Sequence, residues 1–388
     1  MSKLVLTNAR VVTPFEEIYP GTVEVEGGVV RRVYAGRNPG GENLEGRILA
    51  PGFIDIHTHG IKGYDITNSA LEGLVERVEE TLAELSRAYA THGVARFLPT
   101  TVTASRETLL TAARGVARFI ESQRSRIEGA LVEGLHLEGP YLSRERAGAQ
   151  NPEFLRPPSI SELREYWEAS KGSLKTITIA PELEGALEFI EYARSLGVYV
   201  SIGHTNASFE EAKAAIIAGA NRATHLYNGM RPVHHREPGV IVALLESPQV
   251  YLELICDFIH VSPRMIEFTI RHAGVERIVA VTDSIAATDL PDGRYTLGGL
   301  EIIVEGGVSR LKDGTLAGST LTMDKALRNL VKLGVPLKDA VRMLTYNPAS
   351  AVGLRNTGAI IPGFSADLVV LDEDLNVESL YVQGVRVL

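Results

Sequence analysis

Apolar positions along the chain change rhythm near residue 50. Before that point they fall in short runs, Leu4–Val12, Thr22–Val30 and Val30–Ala35, cut by Gly27-Gly28 and by Asn38-Pro39-Gly40-Gly41. Runs of this kind, divided by glycine- and proline-rich turns, predict strands. From Phe53 onward, apolar β-type runs alternate with helix-patterned stretches. The runs are Phe53–Ile56, Arg96–Thr100, Leu131–Leu137, Thr176–Ala180, Val198–Ile202, Ala223–Leu226, Tyr251–Cys256 and Ile278–Thr282. Several are apolar almost throughout, as strands buried on both faces must be. Between them Leu71–Ala90, Glu107–Glu121, Ala186–Leu196, Phe209–Ala218 and Pro263–Ala273 carry the helical period.

Eight such βα units predict an α/β protein built on a TIM (β/α)8 barrel. After Ser284 a hairpin-like stretch, Gly293–Gly318, precedes two helices near Met323–Leu333 and Leu337–Leu344. The tail returns to strand character at Asp367–Leu371, Ser379–Val382 and Val385–Leu388, matching the first fifty residues in kind. The two chain ends are therefore expected to form one small β-sandwich domain, residues 1–51 plus 357–388, beside a catalytic barrel of residues 52–356.

Composition narrows the class without choosing the chemistry. The 388 residues are 45% hydrophobic and 22% charged, ordinary for a soluble globular protein. A formal net charge of -9 argues against nucleic acid as a partner, which would need a basic face, yet leaves room for a local anion site. Cys256 is the only cysteine, so no internal disulfide forms and a reducing, cytoplasmic setting is expected. The stretch from Met1 to Pro14 reads as a strand rather than a secretory leader, and no apolar run approaches the length of a membrane span.

Chemistry enters at the ends of the predicted strands. His57, His59, His204 and His225 all fall at or just past such ends, with Glu138 and Asp283 in the same kind of place. Barrel active sites are built there, because the βα loops converge on that face. In Asp55-Ile56-His57-Thr58-His59-Gly60 the two histidines are two apart on a strand and share a face, as a pair holding one cation would. A single histidine in such a place is equally a hydrogen-bonded core residue. Glu138 interrupts an otherwise apolar strand, which requires either an ion pair or a metal. Glu138, His204 and His225 together form a three-ligand set with a position left open for water. Asp283, ending the eighth run in Val281-Thr282-Asp283-Ser284, suits a proton carrier for water activated by a metal, or else a helix N-cap. Neither a Gly-x-Ser-x-Gly elbow nor a glycine-rich nucleotide loop occurs, which removes serine hydrolase and dinucleotide readings.

These motifs resemble the amidohydrolase superfamily. Glu138 within His136-Leu137-Glu138-Gly139-Pro140 resembles its N-acetylglucosamine-6-phosphate deacetylases in particular. The likeness extends to Ala223–Met230, Arg236–Gly239, Asp257–Val261, Leu316–Met323, Asn347–Ala349 and the Gly358–Asp367 pattern, nearly the whole chain. The resemblance implies hydrolysis of a phosphorylated N-acetyl amino sugar. A divalent metal ion, zinc or iron, would sit on Glu138, His204 and His225, and Asp283 would be base and then acid. It also implies substrate contacts from Asn228, from the backbone of Gly229 and from His260, with Arg236 reaching the phosphate from the neighbouring subunit of a homodimer. Some members lack the His-x-His pair and use one metal; His57 and His59 here open a second position. The family commonly has histidine before Asn-Pro, where it binds the acetyl carbonyl, whereas this chain has Gln150, which donates a hydrogen bond but carries no charge. Alternatives within the resemblance are a deacetylase of the galactosamine epimer and a cyclic-amide hydrolase; outside it stands a non-catalytic scaffold with the same fold.

Overall fold

The structure is a computed structural model that describes residues 3–388. Met1 and Ser2, the start of the stretch read as a strand, lie outside the described residues.

The barrel strands are Phe53–Thr58, Val94–Thr101, Leu131–Val132 continued by Leu135–Glu138, Leu174–Ile179, Tyr199–Ile202, Arg222–Ala223, Tyr251–Ile255 and Ile278–Val281. Each pairs in parallel with the next. The eighth meets the first at the rim, where the Asp283 N–H donates to the His57 carbonyl at 2.9 Å. Most strand residues are buried, which explains why the strands read as apolar runs. The barrel interior is nonetheless polar below the rim. His136, Thr178, Thr224 and Ser201 form a hydroxyl–imidazole chain with contacts of 2.8, 2.9 and 2.6 Å. Buried polar groups persist only when paired in this way.

The helical period of Leu71–Ala90 does not form one helix. Asp65 caps a short helix, Ile66–Leu71, by accepting from the Asn68 N–H at 2.8 Å. Gly73 then takes φ +72°, a left-handed conformation that interrupts the helix, and Val75–Ala90 begins after the extended Leu74. The second helix buries Val78, Leu82, Leu85 and Tyr89, one turn apart along a single stripe. Helices Ile160–Ala169 and Gly239–Glu246 complete the ring without having been expected. Gly293–Leu297, Leu300–Glu305 and Val308–Arg310 form a three-stranded meander where a hairpin was predicted.

Both chain ends meet in one sheet. Lys3–Val12 pairs antiparallel with Glu17–Glu26, which pairs with Val29–Ala35. On its other side Lys3–Val12 pairs in parallel with Ile48–Pro51. That short strand is antiparallel to Leu368–Leu371, which continues to Val377–Val382 and Val385–Arg386. The sheet curls on itself: the Val30 N–H donates to the Phe364 carbonyl at 2.8 Å, and Leu6, Val23, Val25, Val30, Leu368 and Val370 share one buried core. A buried ion cluster joins this unit to the barrel. Arg96, on the second barrel strand, donates from Nε to Asp367 at 2.7 Å and also pairs with Glu133.

Candidate active site

Glu138 is the hub. Its carboxylate ends the third strand, and one oxygen lies 3.2 Å from His204 Nε2, 2.9 Å from His225 Nε2 and 3.5 Å from His57 Nε2. The other oxygen is 3.4 Å from His59 Nε2 and accepts from Gln150 Nε2 at 2.7 Å. No lysine or arginine pairs with Glu138 among the described residues, so the ion-pair alternative for this buried acid is set aside. Asp283 faces the hub from the eighth strand, with Oδ1 3.0 Å from His59 Nε2 and 3.5 Å from His57 Nε2. It caps no helix: the next one begins at Met323. The six side chains predicted from strand ends thus converge, in two groups whose ligand atoms lie within 4.8 Å of one another: His57, His59 and Asp283, and Glu138, His204 and His225.

The backbone aims these groups. His204, His225 and Asp283 each stand two residues past the end of a barrel strand, at φ +46°, +29° and +52°. Non-glycine residues rarely adopt this region, and such turns cluster where a site requires them. Close approach is enforced at Gly229 as well, where φ is +59° and a Cβ would come within 2.8 Å of His204 Nδ1.

Three of the four imidazoles are oriented by their Nδ1 atoms. His204 donates from Nδ1 to the Arg146 carbonyl at 2.9 Å and His59 to the Thr100 carbonyl at 3.0 Å. His57 Nδ1 is 3.1 Å from a Glu253 carboxylate oxygen. With the proton on Nδ1, each Nε2 presents a lone pair to the centre, which is how metal-binding histidines are commonly held. His204 Nε2 and His225 Nε2 are only 3.1 Å apart, and the buried His57 Nε2 has no hydrogen-bond partner. Converging lone pairs beside two buried carboxylates fit a divalent cation.

The electrostatics show a demand for positive charge at the centre, which protons on the imidazoles meet and a cation would meet by displacing them. Burial alone would hold His59 neutral, but hydrogen bonds to Asp283 and Glu138 outweigh it and lift the imidazolium to about 9; burial opposes the charge on His57 too, yet the negative charges of Glu138 and Asp283 raise it well above its ordinary value. Burial likewise opposes ionisation of Glu138, yet His57, His204 and His225 hold its carboxyl well below the usual range. Asp283 is also held low, burial being overcome by His57 and His59. Glu138 and Asp283 are thus held ionised by the positive charge facing them. Below it, His136 is kept neutral, first by burial and then by the charge of His57, and serves the hydroxyl chain of the interior.

The centre opens into a cleft of about 250 Å³ lined by His59, Glu138, Gln150, His204, His225 and Asp283. Asn228, Gly229 and His260 line the same cleft. His260 is held by Asp257, with Nδ1 2.6 Å from the carboxylate. Gln150 donates to Glu138 and accepts from the Thr103 N–H at 2.7 Å, so it touches the hub carboxylate itself. Arg236 lies exposed outside the cleft of its own chain, with its guanidinium 2.8 Å from His235 Nε2. Two features were missed from sequence. Arg310, from the meander, lines the cleft and donates to the Gly314 carbonyl at 2.8 Å, and Val102, Leu297 and Leu316 give one apolar wall. No periodicity marks either, because both depend on the meander folding across the barrel mouth.

Comparison with known proteins reaches the same place from another direction. The sequence profile of the amidohydrolase family matches residues 48–387. The chain is 40% identical over 342 residues to an N-acetylgalactosamine-6-phosphate deacetylase of Escherichia coli O157:H7, covering 88% of each. It is 37% identical over 338 residues to an N-acetylglucosamine-6-phosphate deacetylase of Vibrio furnissii, covering 87% of this chain and 82% of that one. Among solved structures it resembles an aspartate-to-alanine mutant of the N-acetyl-D-glucosamine-6-phosphate deacetylase of Mycobacterium smegmatis, in complex with N-acetyl-D-glucosamine-6-phosphate. That likeness has a TM-score of 0.92 at 38% identity and covers 100% of both chains. The Thermotoga maritima N-acetylglucosamine-6-phosphate deacetylase gives 0.89 at 37% identity, covering 99% of each. Clustered ligands at the strand ends and likeness along almost the whole length have one explanation: the chain belongs to the amidohydrolase family, with the N-acetylglucosamine-6-phosphate deacetylases.

Proposed function

We propose that this hydrolase releases acetate from N-acetylglucosamine 6-phosphate, leaving glucosamine 6-phosphate. The observation that carries the reading is the convergence of four imidazoles on Glu138, with Asp283 beside them, at the base of a cleft whose outer part holds Asn228, His260 and Arg310. We take Glu138, His204 and His225 as the principal metal position and His57, His59 and Asp283 as a second. A divalent ion such as zinc or iron held by these residues would supply Lewis-acid chemistry, polarising the acetyl carbonyl and lowering the pKa of water.

The chain's own groups do the rest. Asp283, ionised and held by His59, takes the proton from the attacking water and then delivers it to the departing nitrogen. Gln150 lines the cleft with one amide hydrogen on Glu138 and a second left for the acetyl carbonyl, so it would orient that carbonyl without adding charge. Val102 and Leu297 offer the apolar wall that suits the methyl group. At the mouth, Asn228, the Gly229 backbone, His260 and the own-chain Arg310 face the phosphate, and Arg236 reaches it from the second subunit of a homodimer. An arginine fork matches phosphate geometry.

A cytoplasmic setting accords with a lone, fully buried Cys256, whose thiol burial pushes up to about 12. Among the described residues no helix is long and apolar enough to cross a membrane.

The test is metal analysis of the purified protein together with acetate release from N-acetylglucosamine and N-acetylgalactosamine, each with and without the 6-phosphate. Preference for phosphorylated glucosamine substrate is expected. Preference for the galactosamine epimer, the substrate named for the 40%-identical relative, would move the assignment to that epimer. Indifference to phosphate would count against Arg236, Asn228 and Arg310.

A further inference from the structure

The wall of the barrel beneath the site holds a buried ion pair that the mechanism above does not use. Glu253, on the seventh strand, and Arg222, on the sixth, are both 0% exposed and meet at 2.6 Å between Nε and Oε1. Arg222 is further fixed by donating from Nη2 to Thr176 Oγ1 at 2.5 Å. The other Glu253 oxygen receives the His225 backbone N–H at 3.1 Å and stands 3.1 Å from His57 Nδ1.

This arrangement distinguishes His57 from its neighbours. His59 and His204 rest on backbone carbonyls, and His225 Nδ1 is buried with no partner. Only His57 has a carboxylate behind it. A carboxylate accepting from Nδ1 fixes the tautomer, sets the ring plane and makes Nε2 a stronger donor toward a cation. Two buried charges are costly to maintain and are weak evidence for stability on their own account, since apolar side chains of the same volume often do as well. Their placement directly behind one ligand gives them a different use.

We propose that Glu253, anchored by Arg222, is a positioning residue that secures the second cation on His57, His59 and Asp283, while the Glu138–His204–His225 position depends on it far less. The proposal rests on the metal reading given above. Glu253 touches neither substrate nor ion; it acts through His57.

The experiment loads the full-length protein with zinc, dialyses it against graded chelator and counts ions per chain by native mass spectrometry. Wild type is expected to hold two zinc ions, with His57→Asn holding one. Glu253→Gln keeps the shape of the side chain but removes its charge, and it should weaken the second ion by roughly 10–100-fold while retaining the first. Because this change leaves Arg222 unpaired and threatens folding, the double variant Glu253→Gln/Arg222→Met, which removes both charges, is measured alongside and should show the same selective loss. Retention of the second ion at wild-type affinity by both variants, while His57→Asn loses it, overturns the role of Glu253 and leaves the metal site standing. Loss of both ions from folded variants overturns the selectivity. A wild-type protein that holds one ion, kept by His57→Asn, removes the second position and the proposal together.

Discussion

His204 Nε2 and His225 Nε2 face one another across 3.1 Å, and both sit beside the same oxygen of Glu138. Two imidazole lone pairs at that distance repel unless a proton or a cation lies between them. Metal removal should therefore cost stability as well as activity. With zinc at about a thousandfold above its Kd, binding adds about 4 kcal/mol to the folded state. Calorimetric melts with chelator and with excess zinc measure this directly, and coincident melts would contradict the metal assignment.

Asp283 can be separated from the ligands of the principal position. Its carboxylate lies 3.0 Å from His59 and 3.5 Å from His57, while Glu138, His204 and His225 form their own group. Asp283→Asn is expected to lower turnover by roughly 10²–10⁴-fold, the usual worth of positioned proton transfer. One zinc per chain should remain. Near-normal acetate release from this variant would remove Asp283 from the chemistry.

Arg310 should act on binding rather than on turnover. It lines the cleft with His260 but touches none of the predicted metal ligands, and its guanidinium donates to the Gly314 carbonyl. Arg310→Met is expected to raise KM for the phosphorylated sugar about tenfold, the worth of one exposed charge-assisted hydrogen bond. The kcat should change little, and the non-phosphorylated sugar should show no such penalty. An equal effect on both sugars would assign Arg310 to the fold of the meander instead.

A pH-dependent contribution to stability lies away from the site. His92 bridges Asp289 at 2.7 Å and Asp324 at 3.1 Å, tying the end of a barrel helix to the segments after the eighth strand. Burial pulls its imidazolium down, but the two carboxylates outweigh this and lift it to about 9. A raised folded value stabilises fully below the unfolded value near 6.5 and fades as pH climbs through 9. His92→Gln should thus cost about 2 kcal/mol at pH 6, after allowance for partial exposure, and close to nothing at pH 10. Denaturant titrations at the two pH values check the sign; an equal loss at both would show that the contacts are not charge-dependent.

The parts of this molecule legible in its sequence are those whose burial is complete. Barrel strands such as Ile278–Val281 are covered on both faces and so read as unbroken apolar runs. Glu138 stood out because a carboxylate interrupts such a run. Glu253 interrupts Tyr251–Ile255 in the same manner, yet its significance depends on Arg222 and His57 from other strands, a relation that no single segment carries. Gly239–Glu246 escaped for the opposite reason: almost every position is buried, so no polar face sets a helical period. Asp65 and Gly73, a cap and a left-handed turn, divide what apolar spacing alone would join into one helix. Arg310 reaches the cleft through tertiary placement of an exposed strand, where alternation says only which face is wet.

The position of Ile48–Pro51, between Lys3–Val12 and Leu368–Leu371, also shapes how the chain is made. During synthesis one edge of this strand stays open until Leu368 has left the ribosome, some tens of seconds at roughly 5–20 residues per second. An unpaired edge is a template for other strands. The nascent amino-terminal sheet thus carries an open edge throughout that interval, and a chain truncated before Leu368 would keep that edge exposed even if its barrel had closed.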